Sequence, residues 1–267
     1  MAIQCACGSY ADPEYEGILY PKKFPPDLRL GAYAMWFDHL ELNASYYAVP
    51  KSHSVRKWLT ETPPAFFFDV RLPRVISQSP EKRAKDGRLL AYFLTSLKPL
   101  IDAGKLGAFL LVLGPNFAPE RHRLAELDAL LERLRPHPVA IELRHRDWVT
   151  GKTRAATLGW FRERRVTWVA VDLPRVAGSD LMPPIDEVTD SRLAYLRLHG
   201  RNPRWLEGKT AAEKHAYEYN EAELREIARR ARRLAERADH VRVVANNHAR
   251  DFAPRTALAL KDLLGLF

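Results

Sequence analysis

Four short segments of this chain carry a charged or polar side chain and a second one two residues on. They are Glu41 and Asn43, Asp69 and Arg71, Glu142 and Arg144, and Arg197 and His199. Each pair sits at the end of an apolar run that reads as a β-strand. Side chains alternate faces along a strand, so the two members of each pair point the same way. Glu41 and Glu142 are the residue types of a general acid and base, and His199 is a third proton carrier. Arg71, Arg144, Arg197 and Arg201 are the type that grips a phosphate or carboxylate. His145, Asp172, Asn247 and His248 lie where further strands run out, and with Asn43 they complete a candidate ligand-binding set. Tyr46 and Trp148 offer aromatic faces on which a sugar or a base could stack. Such charges are costly to bury alone, so they must interlock or meet a ligand. The competing reading is a charge lattice that only stiffens the structure.

His145, His199 and His248, with Glu41, Glu142 and Asp172, are also metal-ligand types. No H-E-x-x-H spacing groups them, and the arginines between them would repel a cation. No metal is expected. Gly8-Ser9-Tyr10 follows the first strand without a G-x-G-x-x-G fingerprint, so no dinucleotide cofactor is expected either.

These residues need a scaffold that brings eight strand ends together. Strands are expected at Ile3–Cys7, His39–Asn43, Phe66–Leu72, Leu106–Leu113, Val139–Leu143, Val166–Val171, Leu193–Leu198 and Val241–Ala245. Between them, apolar residues at helical spacing predict helices over Leu28–Phe37, Ser52–Glu61, Glu81–Ala103, Arg121–Arg135, Thr153–Glu163, Glu221–Ala238 and Pro254–Leu264. Leu173–Asp190, rich in Pro and Asp, gives no helix. Alternating strands and helices imply a parallel sheet with right-handed crossovers. Eight such units in 267 residues predict one (β/α)8 TIM-barrel domain over residues 1–267. In that fold the C-terminal strand ends face one mouth, where active sites are built.

Composition agrees: 46% hydrophobic and 28% charged residues are ordinary for a globular chain. The net charge of +9 favours a small anionic ligand, and keeps nucleic acid open as a partner. Arg225, Arg229 and Arg232 form a stripe on one helix, but Glu223, Glu226 and Glu236 intervene, as on a solvated face. No apolar run is long enough to cross a bilayer, so no membrane association is expected. No basic segment precedes an apolar one at the N-terminus, so no signal peptide is read. Cys5 and Cys7 lack C-x-x-C spacing, and a reducing cytoplasm is the simplest setting.

Several segments together are similar to one family. L-E-L-N-A-S-Y-Y-A-V-P (Leu40–Pro50), W-L-T-E-T-P-P-A-F-F-F-D-V-R-L-P (Trp58–Pro73), A-I-E-L-R-H-R-D-W (Ala140–Trp148), L-R-L-H-G-R-N (Leu196–Asn202) and A-N-N-H (Ala245–His248) resemble the DUF72, or YecE-like, family in the same order. The resemblance implies a TIM barrel and carries no established activity. A likeness of that barrel to the endonuclease IV class implies nucleic acid, with a metal, as an alternative ligand. The chain departs from the family at Cys5–Tyr10, where Gly-Thr-Ser-Gly-Trp is usual, and at Arg71, where lysine is usual. Together the residues and the resemblance predict an enzyme that binds a small anionic ligand, phosphorylated or sugar-like, at the barrel mouth.

Overall fold

The computed structural model describes residues 2–267. Eight parallel strands form one sheet: β1 (Ala2–Cys7), β2 (His39–Leu42), β3 (Phe67–Arg71), β4 (Leu106–Val112), β5 (Val139–Glu142), β6 (Thr167–Asp172), β7 (Leu193–Leu198) and β8 (His240–Ala245). Their order is β1-β8-β7-β6-β5-β4-β3-β2, so the sheet curls into a nearly closed α/β barrel. The remaining seam lies between β1 and β2. There the buried Tyr33 hydroxyl accepts from the Cys7 N–H (3.0 Å) and lies 3.2 Å from the His39 carbonyl oxygen. A side chain thus bridges two backbones that share no ladder.

The outer face is apolar because helices cover it. Phe93, on the helix Arg88–Asp102, meets Phe109 of β4 at 6.0 Å between ring centroids. Phe161, on the helix Thr153–Arg164, meets Trp168 of β6 edge-on at 5.2 Å. The helix Glu221–Ala235 starts where expected. Asn220 accepts from the Glu223 N–H while Glu223 reaches back to the Asn220 N–H, a capping box that satisfies two otherwise orphaned donors.

Some expected boundaries shift. The helix predicted over Glu81–Ala103 is two, Pro80–Asp86 and Arg88–Asp102, broken at Gly87. The helix predicted from Arg121 begins at Leu124 as a 3-10 turn and continues as Asp128–Leu134, because Glu126 caps the Arg123 N–H (2.6 Å). The helix predicted over Leu28–Phe37 is confined to Arg29–Tyr33. Leu173–Asp190 is without a helix, as expected. Among the described residues no helix is long and apolar enough to cross a membrane.

Strand register decides what faces inward. Glu41 pairs with Asp69, Val112 with Glu142, and Val171 with Arg197. Partners in a parallel ladder share a face. The barrel interior therefore carries Glu41, Asp69, Arg71, Glu142, Tyr195, Arg197 and Arg242, with Gln4, His39 and Phe67 on the same face. Cys5 and Cys7 face the helices, free and buried.

Candidate functional site

The upper layer of the barrel interior is centred on Arg197. Its guanidinium reaches the Glu41 carboxylate from Nε (2.9 Å) and Nη2 (2.7 Å), and Nη1 bonds Glu142 Oε2. All three side chains are at most 2% exposed. Tyr195 Oη, two residues earlier on the same strand, donates to Glu41 Oε2 at 2.9 Å. Burial pushes the Glu41 carboxyl up, but Arg197 and the donors from Tyr195 and Asn43 outweigh it and hold it below its ordinary value. Burial acts likewise on Glu142, and Arg197, Arg144 and His199 bring it well below the usual carboxylate range. Both glutamates are therefore fixed anions. Their geometry orients Arg197 between them.

Above this triad sit groups with unused capacity. Arg144 gives Nε to Glu142 Oε1 at 2.6 Å, and its side chain is 35% exposed. Among the described residues its two terminal nitrogens carry no protein hydrogen bond. Arg71 gives Nη1 to Asn43 Oδ1 (3.3 Å) and lies 3.8 Å from the centre of the Tyr46 ring. No carboxylate pairs with Arg71 among the described residues, and its buried Nε is unpartnered. Burial, with Arg197 and Arg144 nearby, pulls the Arg71 guanidinium down to about 10, so it stays charged at neutral pH. His199 contacts Glu142 Oε2 through Nε2 (3.2 Å), and its buried Nδ1 is unpartnered. Burial lowers its imidazole below its ordinary value despite Glu142, leaving a neutral ring. With its Nε2–H given to the carboxylate, Nδ1 carries a free lone pair.

The β1 and β8 side is closed by amides. Asn246 gives Nδ2 to Glu41 Oε1 (3.2 Å), and its Oδ1 meets Asn43 Nδ2 (3.2 Å) and His248 Nε2 (2.9 Å). Gly8 admits this cluster, since a Cβ there would stand 2.5 Å from both amide side chains.

Burial pushes the His248 imidazole down to about 4. In the unfolded chain it returns to about 6.5. Neutral His248 thus stabilises the fold above about pH 6.5, and that contribution is lost as pH falls towards 4. Urea unfolding of His248→Gln is expected to show a shallower loss of stability between about pH 7 and about pH 5 than the wild type. An unchanged slope would mean that the ring is not held neutral.

The structure brings together Glu41, Asn43, Tyr46, Arg71, Glu142, Arg144, Arg197, His199 and His248. It does not bring Asp172, Arg201 or Asn247 to them. Asp172 is in register with Leu198, not Arg197, and so faces the helices. There it takes Arg201 at 2.8 Å, Arg230 at 2.6 Å and Tyr219 at 2.9 Å. Arg201 is turned outward by Gly200, whose φ of +89° only glycine adopts readily. Asn247 gives Nδ2 to the Tyr217 carbonyl (2.9 Å) and Thr256 Oγ1 (3.1 Å), outside the barrel. His145 accepts from the Asp147 N–H within its own loop, and buried Trp148 donates to the Phe117 carbonyl at 2.6 Å as packing.

Three further residues join the cluster: Asn246, Tyr195 and His215. Tyr195 shares parity with Arg197 and His199, a signal visible in L-A-Y-L-R-L-H. Asn246 shares parity with Arg242 in the same way. His215 lies in a long loop, and its ring meets that of His199 at 5.0 Å. Nothing in its local sequence marks it.

A parallel barrel with a charged cluster at the C-terminal strand ends defines an α/β, TIM-barrel-like protein. The chain belongs to a particular family of that class, DUF72, described as a protein of unknown function, whose profile matches residues 4–266. The protein YunF of Bacillus subtilis is 27% identical over 93% of this chain and 90% of its own length. YecE of Escherichia coli K12 is 32% identical over 55% of each chain. The crystal structure of a DUF72 protein from Enterococcus faecalis superposes with a TM-score of 0.87 at 26% identity, covering 100% of this chain and 96% of that one. One from Thermotoga maritima gives 0.86 at 28% identity, covering 99% and 100%.

Proposed function

We propose that the protein is an enzyme that binds a small anionic ligand at the barrel mouth, with Arg71 and Arg144 as the cations that receive it. The observation that carries this reading is Arg71, a largely buried guanidinium with an unpartnered Nε and, among the described residues, no carboxylate of its own. A charge lattice would pair it. Arg197 is spent on two glutamates, so the upper layer holds three arginines against two acids and keeps a net positive charge. Neutral His199, oriented by Glu142, is the group able to take a proton from the bound ligand.

Nucleic acid is the second reading, and the net charge and the arginine stripe on Glu221–Ala235 are what favour it. In that stripe Arg225 pairs with Glu221 and Arg232 bonds the Leu263 carbonyl, both at the exposed surface.

Calorimetry with inorganic phosphate, sulfate and phosphosugars tests the reading. Wild type is expected to bind at least one of them, and Arg71→Ala to weaken that binding by about tenfold to a hundredfold, the worth of a charge-assisted hydrogen bond. Lysine at 71 keeps the charge without the planar fork and should recover only part. A wild type that takes up no anion at all would leave the charge lattice as the better account.

A further inference from the structure

A cleft of about 610 Å³ opens beside this mouth, between the segments that follow β3 and β4. It lies within the usual range of ligand pockets, roughly 300–1,000 Å³. Two residues join it to the charged layer. Tyr46 stacks on the Arg71 guanidinium at 3.8 Å and also walls the cleft. Val112 lines the cleft and is in register with Glu142. Arg71 does not itself line the cleft, but through these two shared walls an anion held by it would stand next to the cleft's inner end.

The walls state what the cleft would accept. Phe117 is stacked between His122 (4.6 Å) and Trp148 (5.5 Å) and is buried, so the half-exposed His122 imidazole is the flat ring this stack leaves open. Its acids are occupied, Glu81 by Lys85 and Glu126 by His122 and the Arg123 N–H. Gln78 and Asn116 line the cleft with side chains that hold no hydrogen bond among the described residues. Covering such amides with an apolar body would strip their water without return. A body bearing several hydroxyls would instead meet donors and acceptors on one side and the flat His122 ring on the other. That pairing suits a sugar ring, whose C–H face packs on aromatics while its hydroxyls bond amides.

We infer that this cleft is the subsite for the sugar body of a sugar phosphate whose phosphate sits at Arg71 and Arg144. The inference rests on the anion-binding reading above and adds the class of ligand. Gln78 and Asn116 are its specificity-determining residues and Tyr46 its inner wall.

The test compares inorganic phosphate with ribose 5-phosphate and glucose 6-phosphate by calorimetry on the full chain. Wild type is expected to bind one sugar phosphate about tenfold or more tighter than inorganic phosphate, as one or two net hydrogen bonds and ring contacts would provide. Asn116→Trp, an exposed loop change that fills the cleft, should abolish that advantage and leave phosphate binding unchanged. Asn116→Ala should reduce the advantage in part. Urea midpoints equal to wild type establish that both variants fold. Equal binding of phosphate and both sugar phosphates by wild type overturns the subsite while the anion site stands. An advantage that survives Asn116→Trp overturns it equally. Wild type that binds none of the three overturns the anion site and the subsite together.

Discussion

Replacing Arg197 with alanine is expected to destabilise the protein by roughly 3–5 kcal/mol or more, since it strands buried carboxylates. Glu41 and Glu142 each rely on this guanidinium, and neither is more than 1% exposed. Arg144 remains for Glu142, and Tyr195 with the two amides for Glu41. None of these brings a full opposing charge to Glu41. A domain of this kind has a total stability of only about 5–15 kcal/mol, so the loss is a large fraction of it. The sign with pH separates stranded charge from lost packing. Glu41 and Glu142 are held below their ordinary values in the wild type, so their contribution is present above the unfolded value, about 4.5, and lost as pH falls below it. Without Arg197, burial dominates at Glu41, which then has no ion-pair partner among the described residues, and its carboxyl rises. The deficit of the variant should therefore shrink as pH falls from about 8 to about 5. Adding Glu41→Gln and Glu142→Gln to Arg197→Met should recover part of the loss, because a neutral cluster avoids the desolvation of charge. Urea unfolding at the two pH values measures both effects. A deficit independent of pH and not relieved by the glutamines would assign the loss to packing alone.

Asp172→Asn is the second change expected to act strongly, and it acts away from the mouth. Asp172 neutralises Arg230, whose side chain is 4% exposed, and also binds Arg201 bidentately. Arg230 keeps Asp186 and Arg201 keeps Glu226, so the loss should fall near the lower end of the range for a broken buried pair, about 3 kcal/mol. Anion binding at Arg71 should be unaffected, because Asp172 faces the helix Glu221–Ala235 rather than the barrel interior. The paired measurement is a urea midpoint and a phosphate titration on the same variant. Intact stability with abolished binding would place Asp172 in the ligand site after all.

The barrel amides and rings bear on how these effects travel. Asn43 touches Glu41, Asn246, Arg71 and Arg197. Arg71 and Arg197 are thus joined through one amide, so substitutions at the two arginines are not expected to be additive.

Much of this molecule was determined by its sequence alone. Periodicity of two in the strands and of three to four in the helices sets eight βα units, and that count at this length admits few architectures. The inward pairs Glu41/Asn43, Glu142/Arg144 and Arg197/His199 follow from alternation, since each has a charged residue that marks its face. Where that mark is missing, only the tertiary structure could decide. Every residue of β6, Thr167–Asp172, is buried, because helices cover one face and the barrel interior the other. Such a strand shows no polar alternation, so nothing local says that Val171 faces in and Asp172 out. The ladder to Arg197 decides it. Asn246 and Asn247 are alike in type and differ only in parity, which the register of β8 against β7 assigns. Arg201 and Arg230 look like ordinary basic residues on a turn and a helix. They become partners of Asp172 only when Gly200 turns the chain outward and the helix packs against β7 and β8. The unpaired state of Arg71 is likewise a property of three dimensions. Asp69 lies two residues before it on the same face, yet it is engaged one layer down by Arg242 at 3.4 Å, which leaves Arg71 without an acid.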